Sequence, residues 1–142
     1  MAVISNILLW LHFVGVAMAL GGGIALGVTG PQFMAEVNNH PDLMWATERV
    51  LSRVGTIGLV VLLVTGPLMV WLRFDGTTGF RWWFWLKMVL VAVAVVGVGL
   101  HQWGGRRLRG GDKSALRMML IGGRAAGISM VLVVLCAVFA FN

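Results

Sequence analysis

The chain has little of what soluble or disulfide-bonded proteins use. Only five of its 142 residues are Asp or Glu, and it has one cysteine, Cys136. A lone cysteine excludes an intramolecular disulfide and a cage of several thiolates around a metal. Charged residues make up 11% of the sequence and hydrophobic residues 59%, a balance outside the range of soluble domains of this size. The composition therefore predicts a membrane protein.

Four apolar segments have the length that a bilayer requires. They lie near residues 4–28, 54–72, 82–103 and 119–141. A helix of about 20 residues crosses a hydrocarbon core of about 30 Å. Backbone groups in lipid must be paired within their own segment, so helices are predicted rather than strands. We expect an all-α, integral membrane four-helix transmembrane bundle that forms a single domain over residues 1–142.

The connections are predicted from glycine, proline and charge. Residues 30–53 form the longest predicted loop, with an amphipathic piece at the interface after Pro41. Residues 73–81 are typical of a tight turn around Asp75-Gly76. Glycines are predicted to end the third helix at Gly104 and Gly105, before a basic stretch.

The basic residues predict the orientation of the chain. The net charge is +6, and most of the excess falls between Arg106 and Arg117. This stretch is too short for a basic domain, so it indicates contact with anionic membrane lipid and no nucleic-acid partner. Because cytoplasmic loops are rich in Lys and Arg, the first and third loops should be cytoplasmic and both termini outside.

His12 in the first predicted helix is a candidate functional residue, since ionisable groups inside membranes are rare and usually functional. Gly15, Ala19, Gly23 and Gly27 follow at helical spacing, and such small residues allow a helix or a flat ligand to approach closely. Two interpretations stay open. The ladder is a packing seam across which His12 hydrogen-bonds, or His12 ligates a metal or haem beside a slot formed by Gly15 and Ala19.

Lys87 lies just inside the tryptophans of residues 82–85, which are typical of an interfacial belt. It either extends to that interface or faces inward, and it shares a helix face with Ala94 and His101. Two polar residues on an otherwise apolar face indicate that the face points into the bundle. By helix rise, Lys87 and His12 fall at a similar depth and can share a site.

His101 lies about 21 Å further along the third helix than Lys87. We therefore do not expect His12 and His101 to clamp one iron, and we place His101 at the inner interface, in water and headgroups. Arg53 and Arg124 near that level are candidates to pair with the carboxylates of a bound porphyrin.

Several short strings resemble one family in order and spacing: Leu11-His12-Phe13, Pro31-Gln32-Phe33, Trp85-Leu86-Lys87, and Gly105 to Leu108 after a histidine. Together they resemble the HemJ-type protoporphyrinogen oxidases, small four-helix proteins of the wider CopD-like group. The chain departs from that pattern at Gln32, where the family usually has arginine, and at Arg124, where acidic surroundings are expected. The histidine expected after the Pro-x-Phe string is also missing.

The resemblance implies a haem b-containing protein of the bacterial inner membrane that oxidises protoporphyrinogen IX. It makes His12 and Lys87 the essential residues, with His12 on the haem iron and Lys87 as a second ligand or a proton acceptor. A porphyrin-type substrate and a quinone are the expected partners, and a homo-oligomer stays open. The other nitrogen of His12 then needs an acceptor such as a helix carbonyl or the Thr29 or Thr56 hydroxyl.

Two other functions stay open. One is a non-enzymatic membrane subunit or assembly factor that docks through the Gly and Ala ladder. The other is a CopD-like metal carrier, for which the sequence offers few ligands.

Overall fold

The computed structural model describes residues 2–73 and 82–140, which form four helices. These are α1 (Ala2–Glu36), α2 (Pro41–Arg73), α3 (Trp82–Arg109) and α4 (Ala115–Ala140). Each contains a stretch long and apolar enough to cross a membrane. The predicted all-α four-helix bundle is confirmed, and the chain is a multi-pass membrane protein. The turn predicted around Asp75-Gly76 lies outside the described residues.

α1 runs through Pro31 to Glu36, so the loop predicted over residues 30–53 is wrong. The connection is residues 37–40, and α2 begins at Pro41. Pro31 costs α1 one backbone hydrogen bond, a loss that membrane helices tolerate. Phe33 is buried and packs edge-on against Trp45, with ring centroids 4.8 Å apart. This contact holds the end of α1 against the start of α2.

α3 also continues past its predicted end, from Gly104 to Arg109. A Cβ built on Gly104 would lie 2.7 Å from the backbone nitrogen of Met119 on α4. The glycine therefore serves close helix packing and does not end the helix. The turn comes at Gly111, whose φ of 96° is left-handed. Asp112 then caps α4, since its carboxylate accepts a hydrogen bond from the Ser114 amide at 3.0 Å.

α1 and α2 pack as an antiparallel pair along a seam of small residues. A Cβ built on Gly58 would lie 2.5 Å from the Ala19 nitrogen, and one on Gly22 would lie 2.8 Å from the Gly55 Cα. At these positions backbone lies against backbone, so the two helices approach closely.

α3 and α4 form a second antiparallel pair of the same kind. A Cβ on Gly97 would lie 2.8 Å from the Ala126 nitrogen, and one on Gly122 would lie 2.6 Å from the Gly97 carbonyl oxygen. The two pairs meet mainly between α1 and α4, while α2 and α3 approach at few positions.

The end of the bundle that carries residues 37–40 and 106–117 is called the basic end, and the opposite end is called the terminal end.

Candidate functional sites

His12 on α1 is held by a hydrogen bond that its imidazole donates to Thr65 on α2. Its Nδ1 lies 2.8 Å from the Thr65 hydroxyl oxygen, which in turn lies 2.7 Å from the Val61 carbonyl oxygen. The hydroxyl has one proton and the carbonyl can only accept, so Thr65 donates to Val61 and accepts from His12. The proton of a neutral imidazole is therefore on Nδ1, and the Nε2 lone pair stays free. Metal-ligating histidines are commonly fixed in this way.

Thr65 is thus the hydroxyl that His12 requires, and it is not one of the two that the sequence suggested. Thr29 and Thr56 both donate to carbonyl groups of their own helices and lie towards the basic end. Thr65 is 4% exposed and comes level with His12 because α1 and α2 run antiparallel along the glycine seam. The seam register was the signal that could have identified it.

Lys87 on α3 is partly buried and close enough to His12 for the charges of the two groups to interact. No Cα of α1 lies within 8 Å of a Cα of α3 among the described residues. α1 and α3 therefore do not pack closely against each other in the described part of the chain. Lys87 makes no hydrogen bond or ion pair with the described part of the chain, so its amine is uncommitted there.

The small-residue ladder of α1 divides into two parts. Gly15 faces α2, and a Cβ built on it would lie 3.1 Å from the Gly58 carbonyl oxygen. The ligand slot predicted beside Gly15 is therefore filled by α2. Ala19 is buried at the border between the two parts. Gly23 and Gly27, further along α1, line a cavity. The ladder is a packing seam in its first half and a cavity wall in its second.

The cavity has a volume of about 800 Å³ and lies towards the basic end, with residues of all four helices in its walls. This volume falls in the range of small-molecule and cofactor sites. Its deep end is a buried apolar cluster that contains Leu59, Ala94 and Met130. Of the described residues that line it, none is His12, Gly15, Arg53 or Lys87. The bundle therefore has two separate candidate sites, one at each end.

His101 is buried in the cavity wall. The sequence had predicted it in water and headgroups, and that prediction is wrong. His101 is 8% exposed, with Nδ1 2.9 Å from the Met119 carbonyl oxygen and Nε2 3.2 Å from Glu48 Oε1. The prediction was wrong because α2 already begins at Pro41. Glu48 therefore lies in a helix at the depth of His101 and pairs with it. Glu48 is also only 8% exposed.

Glu48 and His101 hold one proton between them. The Met119 carbonyl can only accept, so His101 Nδ1 carries a proton. The Nε2–Oε1 hydrogen bond needs a second proton, which belongs either to an imidazolium facing a carboxylate or to a carboxylic acid facing a neutral imidazole. Arg109 lies 3.5 Å from Glu48 Oε2 and stacks over the Trp45 ring.

Arg53 and Arg124, the two arginines predicted to bind carboxylates, are not brought together at this cavity. Both arginines are exposed, but Arg124 lines the cavity and Arg53 is not among the lining residues described. Arg124 makes no ion pair with the described residues, so its guanidinium is available to a ligand.

Glu48 was missed because the sequence placed it in an interfacial loop. Once α2 is extended to Pro41, Glu48 lies on one face with Gly55 and Leu59 at helical spacing. A single acidic residue on the inward face of a membrane helix is then a functional candidate.

These observations define an all-α four-helix membrane bundle with His12 and Lys87 towards one end and, towards the other, a mainly apolar cavity that has Glu48 and His101 in its wall. No protein-family model, no curated protein and no solved structure matches the chain.

Proposed function

We propose that this chain is a haem b-binding oxidoreductase of the bacterial inner membrane, with His12 as an iron ligand. The observation that carries the proposal is the hydrogen bond from His12 Nδ1 to Thr65, which leaves Nε2 free. The HemJ-type resemblance of the sequence supports the same residue and suggests a porphyrin-type substrate.

The donor set at the terminal end, one imidazole with a threonine hydroxyl behind it, supports a haem with a single protein ligand. A porphyrin supplies four nitrogen ligands, so the protein needs to add only an axial ligand such as imidazole. Thr65 fixes the ring orientation and tautomer of His12, as the hydrogen-bond partners of metal-bound histidines do. When bound, haem supplies single-electron chemistry.

Lys87 has a separate role in this proposal. It lies within electrostatic reach of His12 and has no hydrogen-bond partner among the described residues. It is therefore placed to hold or transfer a proton released by the substrate at the depth of His12.

The haem proposal predicts a Soret band in protein purified from haem-replete cells. His12→Ala should remove the band, because the iron loses its axial ligand. Thr65→Val should weaken haem affinity by about 10–100-fold, the usual effect of removing a partner of a ligating histidine. Absorption spectra of the oxidised and reduced protein, with haem measured per chain, check both results.

Thr29→Val is the matched control, since Thr29 also donates to a carbonyl of its own helix but lies towards the basic end. It should bind haem as the unmodified chain does. A folded chain without a Soret band, or a His12→Ala variant with an unchanged band, would reject the proposal.

The two other functions receive less support from the geometry. A subunit that docks through the ladder would need Gly15 on a free surface, and Gly15 is buried against α2. A metal carrier would need grouped ligands, and no set of three His, Cys, Asp or Glu side chains is grouped within the described residues.

We also propose that the basic end faces the cytoplasm. In a Cys136→Ala background, cysteines introduced at Asn39 and Lys113 should react with a membrane-impermeant maleimide only after the cells are opened. A cysteine at Asp75, in the connection between α2 and α3, should react in intact cells. The reverse pattern of labelling would invert the orientation, since the positive-inside rule is its basis.

A further inference from the structure

The cavity at the basic end is not used by the haem proposal, and it opens towards the bilayer. The exposed residues of its walls belong mainly to α1 and α4, among them Ile24 at 59% exposure, Ile128 at 62% and Val131 at 45%. Apolar side chains that are this exposed on membrane-spanning helices face lipid chains, which are as apolar as they are. A molecule that enters the cavity from this side therefore comes from the bilayer.

The interior of the cavity is mainly apolar and uneven in width. Leu59, Ala94 and Met130 form its deep end. α1 and α4 touch along one wall, where a Cβ built on Gly23 would lie 3.7 Å from the Gly127 Cα. A flexible acyl chain can follow such a narrowing, whereas a rigid ring cannot. An acyl chain also enters without giving up a hydrogen bond.

The polar side chains inside the cavity are already paired. Glu48 and His101 bond to each other, and Arg109 lies 3.5 Å from the second Glu48 oxygen. Thr56 donates to a carbonyl of its own helix. Within residues 2–73 and 82–140, no buried side-chain nitrogen or oxygen of a described residue is without a hydrogen-bond partner. The interior therefore favours the apolar part of a ligand.

A positive charge lies at the mouth of the cavity. Arg124 lines it, is exposed and makes no ion pair with the described residues. By helix rise it lies about 14 Å along α4 from Ala115, so its side chain extends from within the membrane towards the headgroups. Arg117, also exposed, lies two turns nearer the basic end on the same face of α4. The two charges favour an anionic group outside the mouth.

We infer that this cavity binds an anionic phospholipid, with one acyl chain inside it and the phosphate accepting hydrogen bonds from Arg124. The second chain stays in the bilayer against Ile24 and Ile128. The two helix pairs meet mainly between α1 and α4, so a chain in the cavity fills space between the pairs and joins them. The lipid is thus a structural ligand of the bundle, and its binding does not depend on haem.

Native mass spectrometry of the full chain, titrated in detergent with dioleoylphosphatidylglycerol or dioleoylphosphatidylcholine, tests the headgroup. One phosphatidylglycerol should bind per chain, about tenfold more tightly than phosphatidylcholine, the gain expected for hydrogen bonds from a charged donor. Arg124→Gln should remove this preference, and Arg124→Lys should keep most of it because the charge stays. Arg53→Gln is the matched control, since Arg53 is an exposed arginine that is not among the lining residues described.

Gly27→Phe tests the position of the acyl chain. Gly27 lines the cavity and a Cβ built on it has no neighbour within 4 Å, so phenylalanine occupies the cavity or its mouth. Both phospholipids should then bind at least about tenfold more weakly. Gly21→Phe is the matched control, because Gly21 is also exposed with open space around it but does not line the cavity. It should bind both lipids as the unmodified chain does.

Several results would overturn the inference. Equal binding of the two phospholipids, or the same loss in Arg53→Gln as in Arg124→Gln, would mean that Arg124 does not hold the headgroup. Unchanged binding in Gly27→Phe would place the acyl chain outside the cavity. Oleate that displaces phosphatidylglycerol would assign the cavity to a free fatty acid. A dimer that dissociates in Gly27→Phe would assign the mouth to a second copy of the chain.

The variant His12→Ala separates this inference from the proposed function. It should bind phosphatidylglycerol with unchanged affinity, because His12 does not line the cavity. A Soret band without selective phosphatidylglycerol binding would reject only the inference. Selective binding that follows the Arg124 and Gly27 variants, in a chain without a Soret band, would support the lipid site and reject the haem proposal.

Discussion

Gly58→Ala should destabilise the bundle by about 1–3 kcal/mol, although it adds a single methyl group. The new Cβ would lie 2.5 Å from the Ala19 nitrogen and 2.7 Å from the Gly15 carbonyl oxygen. Both neighbours are backbone atoms, which cannot rotate away as a side chain can. α1 and α2 must then separate, and the hydrogen bond between His12 and Thr65 is weakened with them.

Gly55→Ala is the control in the same seam, since its Cβ would find its nearest neighbour 3.8 Å away, an ordinary van der Waals contact. It should be neutral or slightly stabilising, because alanine has the higher helix propensity. Unfolding by SDS in mixed micelles, followed by circular dichroism, gives the two free energies. Equal effects at Gly55 and Gly58 would mean that the helices do not pack as closely as the structure shows.

Glu48→Leu should destabilise the protein by about 3–5 kcal/mol, because it leaves the buried His101 imidazole without its carboxylate partner. His101→Leu should cost less, because Glu48 keeps Arg109 at 3.5 Å. The double variant should be far less destabilised than the sum of the two. Replacing both members of a buried pair by apolar residues removes the unpaired charge as well as the attraction. The same unfolding measurement, applied as a double-mutant cycle, gives the coupling energy.

Gln102→Leu provides the comparison for a neutral contact between α2 and α3. Gln102 donates to the Thr56 hydroxyl at 2.8 Å, and losing one such hydrogen bond should cost about 1 kcal/mol. If Glu48→Leu costs no more than Gln102→Leu, or if the two losses of the pair simply add, then Glu48 and His101 do not form the buried proton-sharing pair described above.

The helices themselves follow from the sequence, but two of their ends do not. Gly30-Pro31 and Gly104-Gly105 have the composition of breaks, and local propensity predicted loops there. In the structure α1 continues because Phe33 packs on Trp45, and α3 continues because Gly104 allows close approach to Met119. Each contact joins two different helices, so the local sequence pattern around either helix end does not predict it.

The two sites differ in how far the sequence revealed them. Depth and helix face predicted that His12 and Lys87 share a site, and this stays a prediction. The partner of His12 and the pairing of Glu48 with His101 were not identified. Both depend on the register between helices, which the seam glycines set.

The sequence by itself determined that this chain is an all-α membrane bundle, because about 20 apolar residues in lipid have no alternative to a helix. It also determined which residues are too polar to face lipid. Only the tertiary structure decided which of them meet, since helix register and the position of the cavity depend on contacts between backbones. Those contacts put His12 against Thr65 and Glu48 against His101, and so created two sites where the sequence indicated one.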